Sequence, residues 1–206
     1  ALTSAEKIIS SKADNILYKF SVKAQNGDVA LYKVSFAIGS SSLAATTSAY
    51  AVYVYTDSGY STIDSTFSAT GLLNAGTCFN GLSSTAAGPR TISIYPDKTS
   101  CNSSATTTYI VPNGLTRYFQ LRGTAASVST NTNSKDTVTV NLRGDSAYPV
   151  NTATLMSKAG SQGGAAVTSS VDADTNNAFI WSPVSTTTQN TIQDLDFTNG
   201  YQIKGL

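Results

Sequence analysis

The sequence predicts an all-β chain: one antiparallel β-sandwich, of jelly-roll or immunoglobulin-like type, behind a short N-terminal extension. Two observations lead there. Apolar and polar residues alternate mostly with a period of two, the period of half-buried strands. The candidate strands are short, rich in Thr and other β-branched residues, and separated by clusters of Gly, Asn, Asp and Pro. Charge is sparse, with 13 Lys+Arg, 12 Asp+Glu and a charged share of 12%, against roughly 25% in ordinary soluble domains. Ser and Thr, over a quarter of the chain, fill the gap.

Residues 1–15 read as the extension and 16–206 as the domain, since no linker or internal repeat divides the rest. Leu2, Ala5, Ile8 and Ile9 fit a helical period over Leu2 to Ser11; the segment is also a candidate strand donated to a neighbour, although adjacent Ile8 and Ile9 break its alternation. Lys12 to Asn15 would then be the link out of the domain. The first strand runs from Ile16 to Ala24, with Ile16, Tyr18, Phe20, Val22 and Ala24 on one face and Lys19, Ser21 and Lys23 on the other. The second repeats the pattern, with Ala30, Tyr32, Val34, Phe36 and Ile38 against Lys33 and Ser35.

Parity constrains how these two strands meet. A two-residue Asn26-Gly27 loop would set Phe20 beside Lys33 and expose half the core face. A three-residue loop, Asn26 to Asp28, pairs Val22 with Tyr32 and Phe20 with Val34 instead. The expectation is therefore a bulged hairpin, unless the strands belong to different sheets. Tyr50 to Tyr55 is apolar on both faces, as in a central strand. Further strands are expected at Ile63 to Phe67, Thr91 to Tyr95, Thr107 to Val111, Thr116 to Leu121, Thr137 to Leu142 and Ala178 to Trp181. Turns are expected at Asp57-Ser58-Gly59, Asn80-Gly81, Pro112-Asn113-Gly114 and Gly123. A short helix over Thr152 to Ala159 and a flexible Gly/Ser/Ala-rich loop over Gly160 to Ser170 complete the reading.

Composition argues against catalysis. The chain has no His, so Ser-His-Asp and Cys-His nucleophile systems cannot be built from it. It carries no phosphate-binding Gly fingerprint, and its Asp residues sit mostly in turn contexts where they serve the backbone. A net charge of +1 gives no broad field to attract nucleic acid, and Arg90, Arg117, Arg122 and Arg143 are scattered. No apolar run reaches membrane-spanning length.

Cys78 and Cys101 are too far apart for a Cys-x-x-Cys redox motif and are expected to form an intrachain disulfide. Such a bridge would contribute about 3 kcal/mol in the chain-entropy view and implies an oxidising, extracellular compartment. Two buried thiols are the alternative. The first residue, Ala1, reads as the start of a mature exported chain.

Asp172, Asp174 and Asn176 have the alternating oxygen spacing of a calcium loop. Pro183 stands where a bidentate Glu belongs, however, and an Asx turn explains the segment more simply. Asn102-Ser103-Ser104 fits the N-glycosylation pattern. Tyr53 and Tyr55 could line a sugar-binding face, although inter-strand packing is the plainer account.

Three stretches resemble predicted secreted proteins of the ultra-small candidate-phylum bacteria. They are Ile16 to Phe20 with Val29 to Lys33, then Val140 to Pro149, and the tail Ala178 to Pro183 through Thr198 to Tyr201 and Gly205-Leu206. In architecture the chain is also distantly similar to donor-strand fibre subunits, including camelysin-type biofilm fibres. The resemblance implies a cell-surface location, and no catalytic residues are carried over from it. The expected function is a structural subunit of an extracellular homopolymeric filament or surface layer, joined to copies of itself through Leu2, Ala5, Ile8 and Ile9. The alternative is a monomeric surface adhesin or carbohydrate-binding module whose partners are surface glycans.

Overall fold

Strands form where Val, Ile, Tyr, Phe and Thr are densest. The computed structural model describes residues 2, 8–40, 46–75, 90–97, 107–129, 136–143, 179–183 and 201–202. Within them lie β1 (Asn15–Lys23), β2 (Val29–Ser40), β3 (Thr46–Tyr55), β4 (Arg90–Ile94), β5 (Tyr109–Val111), β6 (Thr116–Ala126), β7 (Val138–Arg143), β8 (Phe179–Pro183) and β9 (Tyr201–Gln202). All strand pairs are antiparallel. Sheet A has the order β1-β6-β3 and sheet B the path β4-β2-β8-β9, with β5 and β7 also on β2. The chain is all-β.

The 12-residue β2 is the spine of sheet B. Its residues 34–38 pair with β4 and 29–31 with β5. Residues 35–40 pair with β7 and 29–34 with β8. The overlapping registers place β4 and β5 along one edge of β2 and β7 and β8 along the other. Sheet A contributes Leu17, Tyr50, Val52, Val54, Phe119 and Leu121 to a single apolar cluster, and sheet B contributes Leu31, Val34, Phe36, Ile38, Ile92 and Tyr109. Two sheets that share one core in this way are sandwich-like.

The expected hairpin between β1 and β2 does not form, because the two strands lie in different sheets. Asn26 (φ 62°) and Gly27 (φ 148°) carry the chain across the core instead of back along β1. The crossing is locked to the turn at residues 112–114. Gly27 N–H donates to Asn113 Oδ1 at 3.0 Å, and Asn113 N–H donates to Asp28 Oδ1 at 2.7 Å. Both strands also change parity once. A bulge between Ile16 and Tyr18 turns Leu17 into the core in place of Ile16. A second, between Leu31 and Lys33, leaves Ala30 and Tyr32 in a small outer cluster with Tyr95 and Ile110.

Three other expectations need correcting. Ile63 to Phe67 is not a strand: only Ile63 bridges to Tyr55. Asp64 Oδ1 then accepts the N–H of Thr66 at 2.9 Å and bends the chain into an Asx turn. Residues 3–7 lie outside the described residues, and the helical alternative for Leu2 to Ser11 does not hold at residues 2 and 8–11. Asn15 holds the backbone there, its Nδ2 donating to the carbonyls of Ser10 (3.0 Å) and Lys12 (2.8 Å), while Ala125 N–H donates to Lys12 O. Gly123 lies inside β6 and is not a turn. It sits between the Leu17 bulge of β1 and a second bulge in β3, where Ala49 has φ 51°.

A Cβ at Gly123 would stand 2.8 Å from Leu17 Cδ1 and 3.1 Å from Tyr50 Cδ1. Both neighbours are buried, so little space exists for them to retreat. Gly123→Val is expected to destabilise the fold by about 1–3 kcal/mol through overpacking. A thermal or urea midpoint equal to that of the wild type would contradict this packing.

Candidate functional site

The run Thr116-Arg117-Tyr118-Phe119-Gln120-Leu121-Arg122 alternates, and the pleat sends Phe119 and Leu121 inward and Tyr118, Gln120 and Arg122 outward. Register sets Tyr55 opposite Tyr118 and Tyr53 opposite Gln120 on the β3 side. On the β1 side it sets Lys19 opposite Gln120. The outer face of sheet A therefore gathers tyrosines and cations contributed by three strands.

A polar network fixes this face. Arg122 Nε donates to Gln120 Oε1 at 2.7 Å, and Arg122 Nη2 to the Tyr55 hydroxyl at 2.7 Å. Tyr55 in turn donates to Gln120 Oε1 at 3.2 Å. The Arg122 guanidinium carbon stands 4.5 Å from the Tyr53 ring centroid, a cation–π contact. Burial, then the charge of Asp14, pushes the Tyr53 hydroxyl above its ordinary value, so it is a neutral donor at pH 7.

Tyr60 comes from outside the strands. Asp57 shapes its loop by accepting Thr62 N–H (2.6 Å), Ser61 N–H (3.2 Å) and Ser61 Oγ–H (3.0 Å). The bond from Thr62 leads the set that holds the Asp57 carboxyl below its usual range. Tyr60, at φ 58°, then packs edge-on to Tyr55 (5.5 Å between centroids) and Tyr118 (5.9 Å). Lys19 Nζ lies 4.3 Å from its ring centroid. Tyr55 and Gln120 are buried beneath, whereas Tyr53, Tyr60, Tyr118, Lys19 and Arg122 are half-buried.

A second polar constellation lies under the edge of β3. Asp64 is 2% exposed and accepts four donors: Thr66 N–H (2.9 Å), Thr66 Oγ–H (2.5 Å), Tyr109 O–H (2.7 Å) and Arg117 Nε–H. Burial pushes the carboxyl up, but the hydrogen bonds from Thr66, Tyr109 and Arg117 outweigh it and hold the group below the ordinary carboxylate range. Burial and the same hydrogen bond push the Tyr109 hydroxyl up. With both oxygens filled, Asp64 is placed to tie β5, β6 and the segment beyond β3 together, and is not placed to take a proton from a substrate.

The β3 edge is covered in the same region. Val54 N–H donates to Gly71 O and Leu73 N–H to Val52 O, both at 2.8 Å. Asn74 imitates a strand residue with its side chain, accepting Val52 N–H at 2.8 Å and donating to Tyr50 O at 3.1 Å.

Of the residues singled out by sequence, Tyr53 and Tyr55 are brought onto the tyrosine face. Ile9 packs on the core of its own domain, and Ile8 is 74% exposed. Leu2 is half-buried. Ala5, Cys78, Cys101, Asn102, Asp172, Asp174 and Asn176 lie outside the described residues. Among the described residues no three His, Cys, Asp or Glu side chains converge as a metal site would require. Sequence reasoning missed Lys19, Tyr60, Tyr118, Gln120 and Arg122 as partners of one face. The alternation in Tyr118-Phe119-Gln120-Leu121-Arg122 was a usable signal, but which strands flank β6 was not. No protein-family model, curated protein or solved structure matches the chain.

Proposed function

We propose that this chain is a non-enzymatic extracellular surface domain that binds carbohydrate on the outer face of sheet A. The observation that carries the reading is the Tyr55–Gln120–Arg122 network, which holds polar groups beside half-exposed tyrosine rings. Ligand faces of this kind pair apolar ring surface with a few fixed donors and acceptors. Tyrosine suits the task, because its ring covers the apolar side of a sugar while its hydroxyl stays wet. The core does not need these rings, since Phe119, Leu121, Val52 and Val54 close it from the opposite side of the same strands.

A glycan array probed with the wild type and Tyr60→Ala tests the reading. The wild type is expected to bind a definite glycan class, and Tyr60→Ala to lose at least tenfold in affinity while melting as a folded protein. This loss is the size expected for a ring contact of about 1.4 kcal/mol or more. A folded wild type that binds no glycan would overturn it.

Self-assembly into a filament is the second reading, and two observations favour it. Ile8 is 74% exposed immediately before Ile9 docks, and among the described residues β1 pairs only with β6. The other edge of β1 would accept a strand from a second copy. Negative-stain imaging of the full chain and of a chain lacking residues 1–10 separates the readings. Filaments that vanish with the deletion support assembly, and dispersed particles in both samples contradict it.

A further inference from the structure

Arg122 is held in an arrangement that leaves a specific part of it unused. A guanidinium has five N–H donors in a planar fork. Its Nε–H and one Nη2–H go to Gln120 Oε1 and the Tyr55 hydroxyl, both on one side of the fork. Both hydrogens of Nη1 and the second of Nη2 remain, and one from each nitrogen points side by side from the tip, in the geometry that receives a carboxylate with two parallel bonds. Neither of its two partners carries a charge, and among the described residues no carboxylate forms an ion pair with Arg122. The cation–π contact with Tyr53 and the two hydrogen bonds hold the guanidinium before any ligand arrives.

The remaining charges around the face agree with this. Lys19 adds a second cation over Tyr60. Asp57 is consumed by its own loop, with Ser61 and Thr62 on its oxygens. Among the described residues, Asp14 is a carboxylate whose charge acts on Tyr53. With a net charge of only +1 over the whole chain, a general pull on polyanions is absent. Any preference for acidic ligands must come from this local placement.

We propose that the tyrosine face selects a carboxylated, uronic-acid-type glycan, with the Nη1/Nη2 tip of Arg122 on the sugar carboxylate and the rings of Tyr53 and Tyr60 against the sugar. This rests on the carbohydrate-binding reading above and narrows its ligand class. The test is titration calorimetry of the wild-type chain with an oligogalacturonide, its fully methyl-esterified form, and polyglutamate as a sugar-free polyanion. The expected result is binding of the free acid, with affinity at least tenfold weaker for the methyl ester and none for polyglutamate.

Arg122→Gln is expected to lower affinity for the acid by roughly tenfold to a hundredfold, the worth of a charge-assisted hydrogen bond. Arg122→Lys, which keeps the charge and loses the fork, should restore only part of it. The methyl-ester comparison needs no variant and stands even if substitution at Arg122 disturbs the sheet. Equal binding of acid and ester overturns the acidic preference and leaves the carbohydrate reading in place. Equal binding of polyglutamate overturns the preference by reducing it to charge alone. If no saccharide binds here and the glycan array is also blank, the carbohydrate reading falls with it.

Discussion

Asp64→Ala is expected to cost the fold about 3–5 kcal/mol, the penalty for leaving a buried charge without its partner. Arg117 would lose the carboxylate that receives its Nε–H, and Tyr109 the acceptor 2.7 Å from its hydroxyl. Both groups are nearly excluded from water, Arg117 at 8% exposure and Tyr109 at 1%. The pair Asp64→Leu with Arg117→Met should recover much of the loss, because no charge then stays buried. Urea titration checks both variants through the midpoint at unchanged slope. A single variant that loses less than about 1 kcal/mol would class the pair with exposed salt bridges and contradict its structural role.

The same residue sets an acid limit. The folded Asp64 carboxyl is depressed below its ordinary value, so folding binds the deprotonated form more tightly than unfolding does. Its contribution is complete above the unfolded carboxyl value of about 3.9 and is lost as pH falls from there through the lower folded value. Stability measured downward from pH 6 should therefore hold until about pH 4 and then drop. The Asp64→Leu/Arg117→Met pair should flatten that drop.

Phe119→Ala is the other large effect, expected at about 3–5 kcal/mol for a truncated core Phe. Phe119 is fully buried in the middle of β6. It stacks on Phe20 at 4.7 Å between centroids and meets Tyr109 edge-on at 5.7 Å. One ring thus joins β1 and β6 of sheet A to β5 of sheet B, and its loss opens a cavity shared by both sheets. A calorimetric melt reads the change as a lowered midpoint. A shift as small as that of a surface substitution, within about 0.5 kcal/mol, would mean the two sheets do not meet at Phe119.

How much of this was legible in the residues depends on whether the signal was local. Period-two alternation located most strands, since each run carries its own pattern. It failed at Leu17 and at Leu31 to Lys33, where a bulge adds a residue and inverts the face. It also failed at Asp64, whose apolar neighbours look strand-like while its carboxylate bends the chain. Hairpin parity pointed to a bulged hairpin between β1 and β2, whereas tertiary pairing put the two strands in different sheets, the one exception that parity left open. β9 is two residues long, too short to display any period.

The tyrosine face was half visible for the same reason. Tyr53 and Tyr55 share a face by spacing alone. Lys19, Tyr118, Gln120 and Arg122 join them because β6 lies between β1 and β3, and Tyr60 joins because Asp57 closes its loop. The strand order has no marker near the tyrosines; the turn at Asp57 does, but a turn signal alone does not say onto which face Tyr60 folds.

Amide shifts mapped by nuclear magnetic resonance during a glycan titration will show whether a glycan binds the proposed outer face of sheet A. The predicted result is a set of saturating shifts confined to residues 19, 53–55, 60–62 and 118–122, with the core-facing strands of sheet B silent. Shifts that centre on residues 8–12, on sheet B, or nowhere at all at saturating glycan would contradict it.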